Sequence, residues 1–175
     1  RRLEEVPIGH ITNGVHAGTW IAPQMQRMFD LHLPTDWRAR IRHPEVWTAV
    51  DSISDSEFWE THQILKAGMI SYVRHRLALQ ASARGEAAEA LDKFKRRLDI
   101  DTLTIGFARR FATYKRAGLI LSEAENLINM VKSTGKQIQL VFAGKAHPED
   151  KFGKELIQSI VRKTKLADFE DWVVF

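Results

Sequence analysis

From residue 99 onward the pattern of hydrophobic and polar positions alternates between two textures. Leu103-Thr104-Ile105-Gly106-Phe107-Ala108 and Ile138-Gln139-Leu140-Val141-Phe142-Ala143 are short apolar runs of the kind that form buried strands. Between them, residues 114–131 carry apolar positions at helical spacing, and Gly135 stops the helix. Residues 149–165 predict a further helix with Phe152, Leu156, Ile160 and Val161 on one face, and Trp172-Val173-Val174-Phe175 a third strand. Strand, helix, strand, helix, strand with short joins predicts parallel strands and right-handed crossovers. The fold class is α/β, the first half of a doubly wound sheet.

Residues 1–98 read differently. Gly14, Gly18, Pro23, Pro34 and Pro44 punctuate the first stretch, and Trp20, Trp37 and Trp47 offer large apolar anchors. Pro23–Leu31 predicts a short helix with proline in its first turn. Ser54-Asp55-Ser56-Glu57 fits a capping box, and Phe58, Leu65, Met69, Val73 and Leu77 then form a core-facing stripe running to about Leu79. Gly85 breaks it, and residues 86–97 predict a charged helix ending in Lys93-Phe94-Lys95-Arg96-Arg97, read as a solvated face. The chain is thus expected to divide into a loop-and-helix segment, 1–98, and a truncated α/β unit, 99–175. Three strands leave a sheet edge open, so further strands are expected in a longer parent.

Composition narrows the function classes. The 175 residues hold 26 Lys+Arg against 22 Asp+Glu, a surplus of four that is too small for a nucleic-acid binder with a basic stripe. Cysteine is absent, which excludes disulfides, thiolate metal sites and cysteine nucleophiles. The seven histidines show no metal-ligand spacing, so no metal is expected. Neither Gly-x-Gly-x-x-Gly nor a Walker motif follows a strand. No apolar run approaches the ~18 residues of a membrane span, and no secretion signal opens the chain. A cytoplasmic protein without membrane or nucleic-acid partners is expected. The first residue is Arg, which reads as part of something longer.

Ligands of open α/β sheets bind beyond the carboxyl ends of the strands. The first such end, Arg109-Arg110-Phe111-Ala112-Thr113-Tyr114-Lys115-Arg116, packs four cations into eight positions, and Lys115 and Arg116 are expected in or just before a helix's first turn. Strand end, helix dipole and cations together describe an anion site, most simply for phosphate. The other reading has these side chains fanning into solvent or pairing with acids elsewhere. The second end, Gly144-Lys145-Ala146-His147-Pro148-Glu149-Asp150, should bring Lys145 to the same rim, while Glu149 and Asp150 complement a helix dipole.

Three separated stretches, in order, carry a family resemblance. Ile11-Thr12-Asn13-Gly14-Val15-His16-Ala17-Gly18-Thr19-Trp20, then Phe107-Ala108-Arg109-Arg110-Phe111-Ala112-Thr113-Tyr114-Lys115-Arg116, then Phe142-Ala143-Gly144-Lys145-Ala146-His147-Pro148 resemble the α-glucan (glycogen, maltodextrin) phosphorylases, in their shorter prokaryotic form. The resemblance implies a partial GT-B, Rossmann-like C-terminal domain. It implies a glycosyltransferase that holds pyridoxal 5′-phosphate and uses orthophosphate to cleave an α-1,4-glucan, releasing α-glucose 1-phosphate with retained configuration. By position, Arg110 resembles the arginine that grips substrate phosphate and Lys115 the lysine beside both phosphates. Arg109 stands where the family often has lysine, facing the cofactor phosphate, with Tyr114 close by. Asn13 matches the asparagine that bonds the glucosyl unit, and Trp20 the tryptophan near the cofactor. Lys145 is expected to support the phosphate rim. Thr19 stands where longer members place an arginine, and His147, often alanine, is assigned no role.

The family's Schiff-base lysine belongs to a Gly-Thr-x-Gly-type segment that this chain does not contain, so the chain alone is expected to be inactive. A homodimer is possible for the parent. Two other readings compete. One is a sugar-nucleotide GT-B glycosyltransferase of the glycogen-synthase kind, which also sets an arginine and a lysine at such a strand end. The other is a catalytically dead module that binds polyanions.

Overall fold

The computed structural model describes residues 9–166 and 169–175, with the backbone alone of 88–91. Two compact units divide the chain, residues 1–66 and 67–175.

The first unit contains helices α1 (Ala17–Trp20), α2 (Pro23–His32) and α3 (Pro44–Trp47), and the start of α4 (Asp55–Ala83). Proline opens both α2 and α3, where its missing N–H costs nothing. The core gathers Met28, Phe29, Leu33, Trp37, Val46 and Ile53. Phe29, Trp37 and Trp47 meet edge to face, with centroids 5.7, 5.8 and 6.1 Å apart. Two of the three expected tryptophan anchors act as such; Trp20 is 77% exposed. The capping box is half formed: the Glu57 N–H donates to Ser54 Oγ at 3.3 Å, but the Glu57 carboxylate turns to His32 Nε2 at 2.9 Å.

The second unit takes the rest of α4, then α5 (Ala88–Lys95), β1 (Leu103–Ala108), α6 (Leu119–Ser122), α7 (Ala124–Thr134), β2 (Ile138–Ala143), α8 (Lys151–Lys163) and β3 (Val173–Val174). The strands are parallel in the order β1-β2-β3, with Leu103 opposite Ile138 and Ala108 opposite Ala143. Phe111, Leu121, Leu140, Phe142, Ile160 and Val173 form the core. Gly135 ends α7 with a left-handed φ of 65°, its N–H bonded to the Val131 carbonyl.

Three helical expectations need correction. The stretch 114–131 is not one helix: a 3-10 turn at Thr113–Lys115 leads to Arg116 at φ 56°, and α6 starts only at Leu119. On α4 the buried positions are Ile70, Leu77 and Ala81, whereas Phe58 and Met69 of the expected stripe are 44% and 38% exposed. On α8, Phe152 is 76% exposed and Gly153 takes the inward position. On α4 apolar residues lie all around, so the pattern marked a helix without choosing its buried side; on α8 the expected face does turn inward through Leu156 and Ile160, and only Phe152 leaves it. Among the described residues no helix is long and apolar enough to cross a membrane, and no group of acidic or histidine side chains could hold a metal.

Candidate phosphate site at the strand ends

Parallel pairing in register sends the chain out of β1 after Ala108 and out of β2 after Ala143 side by side. The two loops are then locked together through backbone. The Phe111 N–H donates to the Lys145 carbonyl at 3.0 Å. Gly144 adopts φ 145°, and a Cβ there would lie 2.2 Å from the Arg109 carbonyl oxygen. Gly153, in the first turn of α8, presses equally hard on the Phe111 carbonyl, where a Cβ would come within 2.3 Å. The Phe111 ring, 1% exposed, anchors the loop from below among Phe107, Phe142 and Phe175. A strand end that is pinned in this way holds its side chains over a fixed rim.

On that rim stand Arg109, Arg110, Arg116 and Lys145, all exposed, and Lys115, partly exposed. None of the five forms an ion pair with an acid among the described residues. The acids of the second loop are not neutralising them: the Asp150 carboxylate caps α8, accepting from the Gly153 N–H at 2.8 Å. Lys115 Nζ rests 4.7 Å from the centroid of the Tyr114 ring, which is itself exposed. An exposed contact of this kind contributes roughly 0.5–1 kcal/mol, less than the ~1.5–3 kcal/mol of a hydrogen bond to a charged group. An arriving oxyanion would therefore draw the ammonium off the ring.

The helix-dipole part of the expectation does not hold. The helix after β1 is a four-residue turn beginning at Leu119, beyond Lys115 and Arg116, and α8 spends its first amides on its own cap. Anion affinity at this rim rests on side-chain charge. Asn13 and Trp20 lie in the first unit, both exposed. There His16 Nδ1 and Thr19 Oγ1 are 2.8 Å apart, and Gln26 Nε2 donates to the Ile21 carbonyl at 2.7 Å. The positioning residues Gly144, Gly153 and Phe111 escaped the sequence reading. Their signal was a glycine directly after a strand and another in the next helix's first turn.

No family model matches the chain. Similar proteins include maltodextrin phosphorylase of Thermococcus litoralis, 34% identical over 98% of this chain and 20% of that protein. Glycogen phosphorylase of Aquifex aeolicus is 35% identical over 98% of this chain and 25% of its own length. Glycogen phosphorylase of Mycobacterium bovis is 37% identical, again over 98% of this chain and 20% of that protein. The chain thus spans about a fifth to a quarter of the length of the relatives it matches.

Proposed function

We infer that the chain, which belongs to the glycogen and maltodextrin phosphorylase family, contributes the phosphate-gripping wall of an α-1,4-glucan phosphorylase. The observation that carries this reading is the set of cations on the clamped ends of β1 and β2, without acidic partners among the described residues. Residues 99–175 are read as the first half of the GT-B C-terminal domain, and 1–98 as the segment leading into it. The parent reaction is phosphorolysis: orthophosphate takes the terminal glucosyl unit of the glucan, giving α-glucose 1-phosphate with retained configuration.

The donor set fits the phosphate end of pyridoxal 5′-phosphate, because it is cationic and uncompensated; the covalent anchor is not among this chain's residues. When bound, the cofactor's phosphate supplies a proton-transfer group beside the substrate phosphate. Two unit negative charges about 4 Å apart repel by about 4 kcal/mol at an effective dielectric of about 20, and two dianions by several times that. Arg110 would grip the substrate phosphate, and Lys115, released from Tyr114, would offset the charge of both anions. Arg109 and Tyr114 would hold the cofactor phosphate, and the family resemblance gives Trp20 a place near the cofactor. Asn13 hydrogen-bonds the glucosyl unit. Lys145 shares its backbone carbonyl with the first loop and braces the rim. Fixed cations of this kind lower the barrier without reorganising during the reaction.

Orthophosphate titration of the wild-type chain and of Arg110→Ala tests the assignment. Affinity is expected to fall at least tenfold, about 1.4 kcal/mol, and an unchanged affinity would sink it. A polyanion-binding module predicts instead that heparin competes with phosphate and that affinity falls steeply with salt for every anion tried.

A further inference from the structure

The sheet stops at β1. Among the described residues no strand pairs with its outer edge, and Leu103–Ala108 carries neither a charge nor a proline to blunt pairing there. Leu103, Ile105 and Phe107 share one face of the strand, the face that β2 continues with Leu140 and Phe142. Leu103 and Ile105 are exposed. An apolar groove of about 210 Å³ lies beside Ile105, lined among others by Phe107, Leu119 and Ile120.

This edge is complementary to a copy of itself. When a strand pairs antiparallel with its own copy, the two-fold axis stands perpendicular to the sheet and opposed side chains share a face. Opposed residue numbers are then both odd or both even. Centring the axis on Ile105 sets Ile105 against Ile105, Leu103 against Phe107 and Thr104 against Gly106. The large apolar side chains fall on one face, and only small ones meet on the other. The same register matches charge at both ends of the strand. Asp101, two residues before β1, meets Arg109, the first residue after it. Both are exposed, and neither forms an ion pair among the described residues. Moving the axis by one residue sets either Leu103 against Arg109 or Asp101 against Phe107, and the match is lost.

We propose that the outer edge of β1 is a self-association surface, on which a second copy of the chain docks antiparallel and the two sheets become one. Asp101 of each copy pairs with Arg109 of the other, and Leu103 of each enters the apolar strip beside the other's Phe107. The pairing needs no anion, so it stands apart from the phosphate reading; of the rim cations it engages Arg109. An interface of one short strand is smaller than the roughly 1,200 Å² of durable complexes, and the expected Kd is on the order of 100 μM.

Sedimentation equilibrium of the wild-type chain from roughly 10 μM to 1 mM tests this, with the mean mass expected to climb from one chain toward two. Ile105→Lys, which sets like charges against each other on the axis, is expected to weaken the dimer roughly tenfold or more, and Asp101→Lys roughly threefold or more. The chain has no cysteine, so single introduced cysteines read the register. Opposed Cα atoms in such a pair lie about 4.5–5.5 Å apart, within disulfide reach. Under mild oxidation Ile105→Cys is expected to cross-link to itself roughly tenfold faster than Met130→Cys, at an exposed position on α7. A mass that stays at one chain through about 1 mM overturns the proposal and leaves the edge to a strand from outside these residues. So does a dimer that Ile105→Lys or Asp101→Lys leaves intact, or an Ile105→Cys cross-link no faster than that of Met130→Cys. If Ile105→Lys does not fold, Asp101→Lys, at an exposed position before the strand, and the cross-linking rates decide.

Discussion

Asp30 shows what one exposed residue does when its neighbours agree about charge. Trp37 Nε1 donates to Oδ1 at 2.8 Å, Arg38 Nη2 donates to Oδ2 at 2.9 Å, and Arg38 Nη1 closes the fork on Oδ1. With Arg38 the leading cause, the carboxyl is held down to about 2. The native pKa lies below the unfolded one, so the contribution is complete above the ordinary carboxylate value of about 3.9 and is lost as pH falls toward about 2. The Asp30 carboxyl resonance should titrate near 2, and Asp30→Asn should remove part of the acid dependence of stability in that window. A midpoint near the ordinary value would contradict the geometry. Trp37, 1% exposed at the centre of the first unit, is the counterpart in apolar packing. Trp37→Ala should cost about 3–5 kcal/mol in urea unfolding.

Among the elements, the coupling of β1 to β2 matters most. Six residues pair in register, and the loops that follow are joined by one hydrogen bond and two close glycine contacts. Gly144→Ala meets both a left-handed backbone and a carbonyl at 2.2 Å. It should cost about 2 kcal/mol or more and weaken phosphate binding, because the rim is displaced. Gly106→Ala, with open space around it in the same strand, is the control and should stay within about 0.5 kcal/mol. If both substitutions behave alike in denaturant melts, the clamp is not what holds the rim. The broken helix after β1 belongs to this scale too. Arg116 in a left-handed turn, stabilised by Thr113 accepting its N–H, postpones the helix and leaves Lys115 over Tyr114.

At the scale of the whole molecule, the function proposed above makes the cationic rim one part of a reaction centre, since the sequence contains no lysine in a Gly-Thr-x-Gly-type segment to anchor a cofactor. The chain supplied with maltodextrin, orthophosphate and pyridoxal phosphate is expected to release no glucose 1-phosphate, while a full-length protein of the same family does so under the same conditions. Turnover by the chain would overturn the division of labour argued above. Among the described residues no strand pairs with the outer edge of β1, where Leu103 is 61% and Ile105 40% exposed, and α4 carries exposed apolar residues as well. Edge strands that lack charge or proline are the usual sites of unwanted pairing.

Much of this was determined by sequence alone. The bounds of β1 and β2, the parallel order, the stops at Gly85 and Gly135 and the concentration of cations after β1 all follow from local signals: an apolar run bounded by glycine, or a charge where a strand must end. Three motifs in order carried the family. Local signals could not choose which face of α4 turns inward, because its apolar residues lie on several faces and only packing against a particular neighbour breaks the tie. They could not show that Glu57 leaves its capping box for His32, a partner 25 residues away. Nor could they separate an unpaired arginine from a solvated one. Arg97 and Arg96 look alike in a basic run, and only the fold withdraws one edge of the Arg97 guanidinium from water, beside the Phe94 ring, while Arg96 stays exposed. Charge is written in the sequence; whether a charge has been compensated is a property of three-dimensional neighbours.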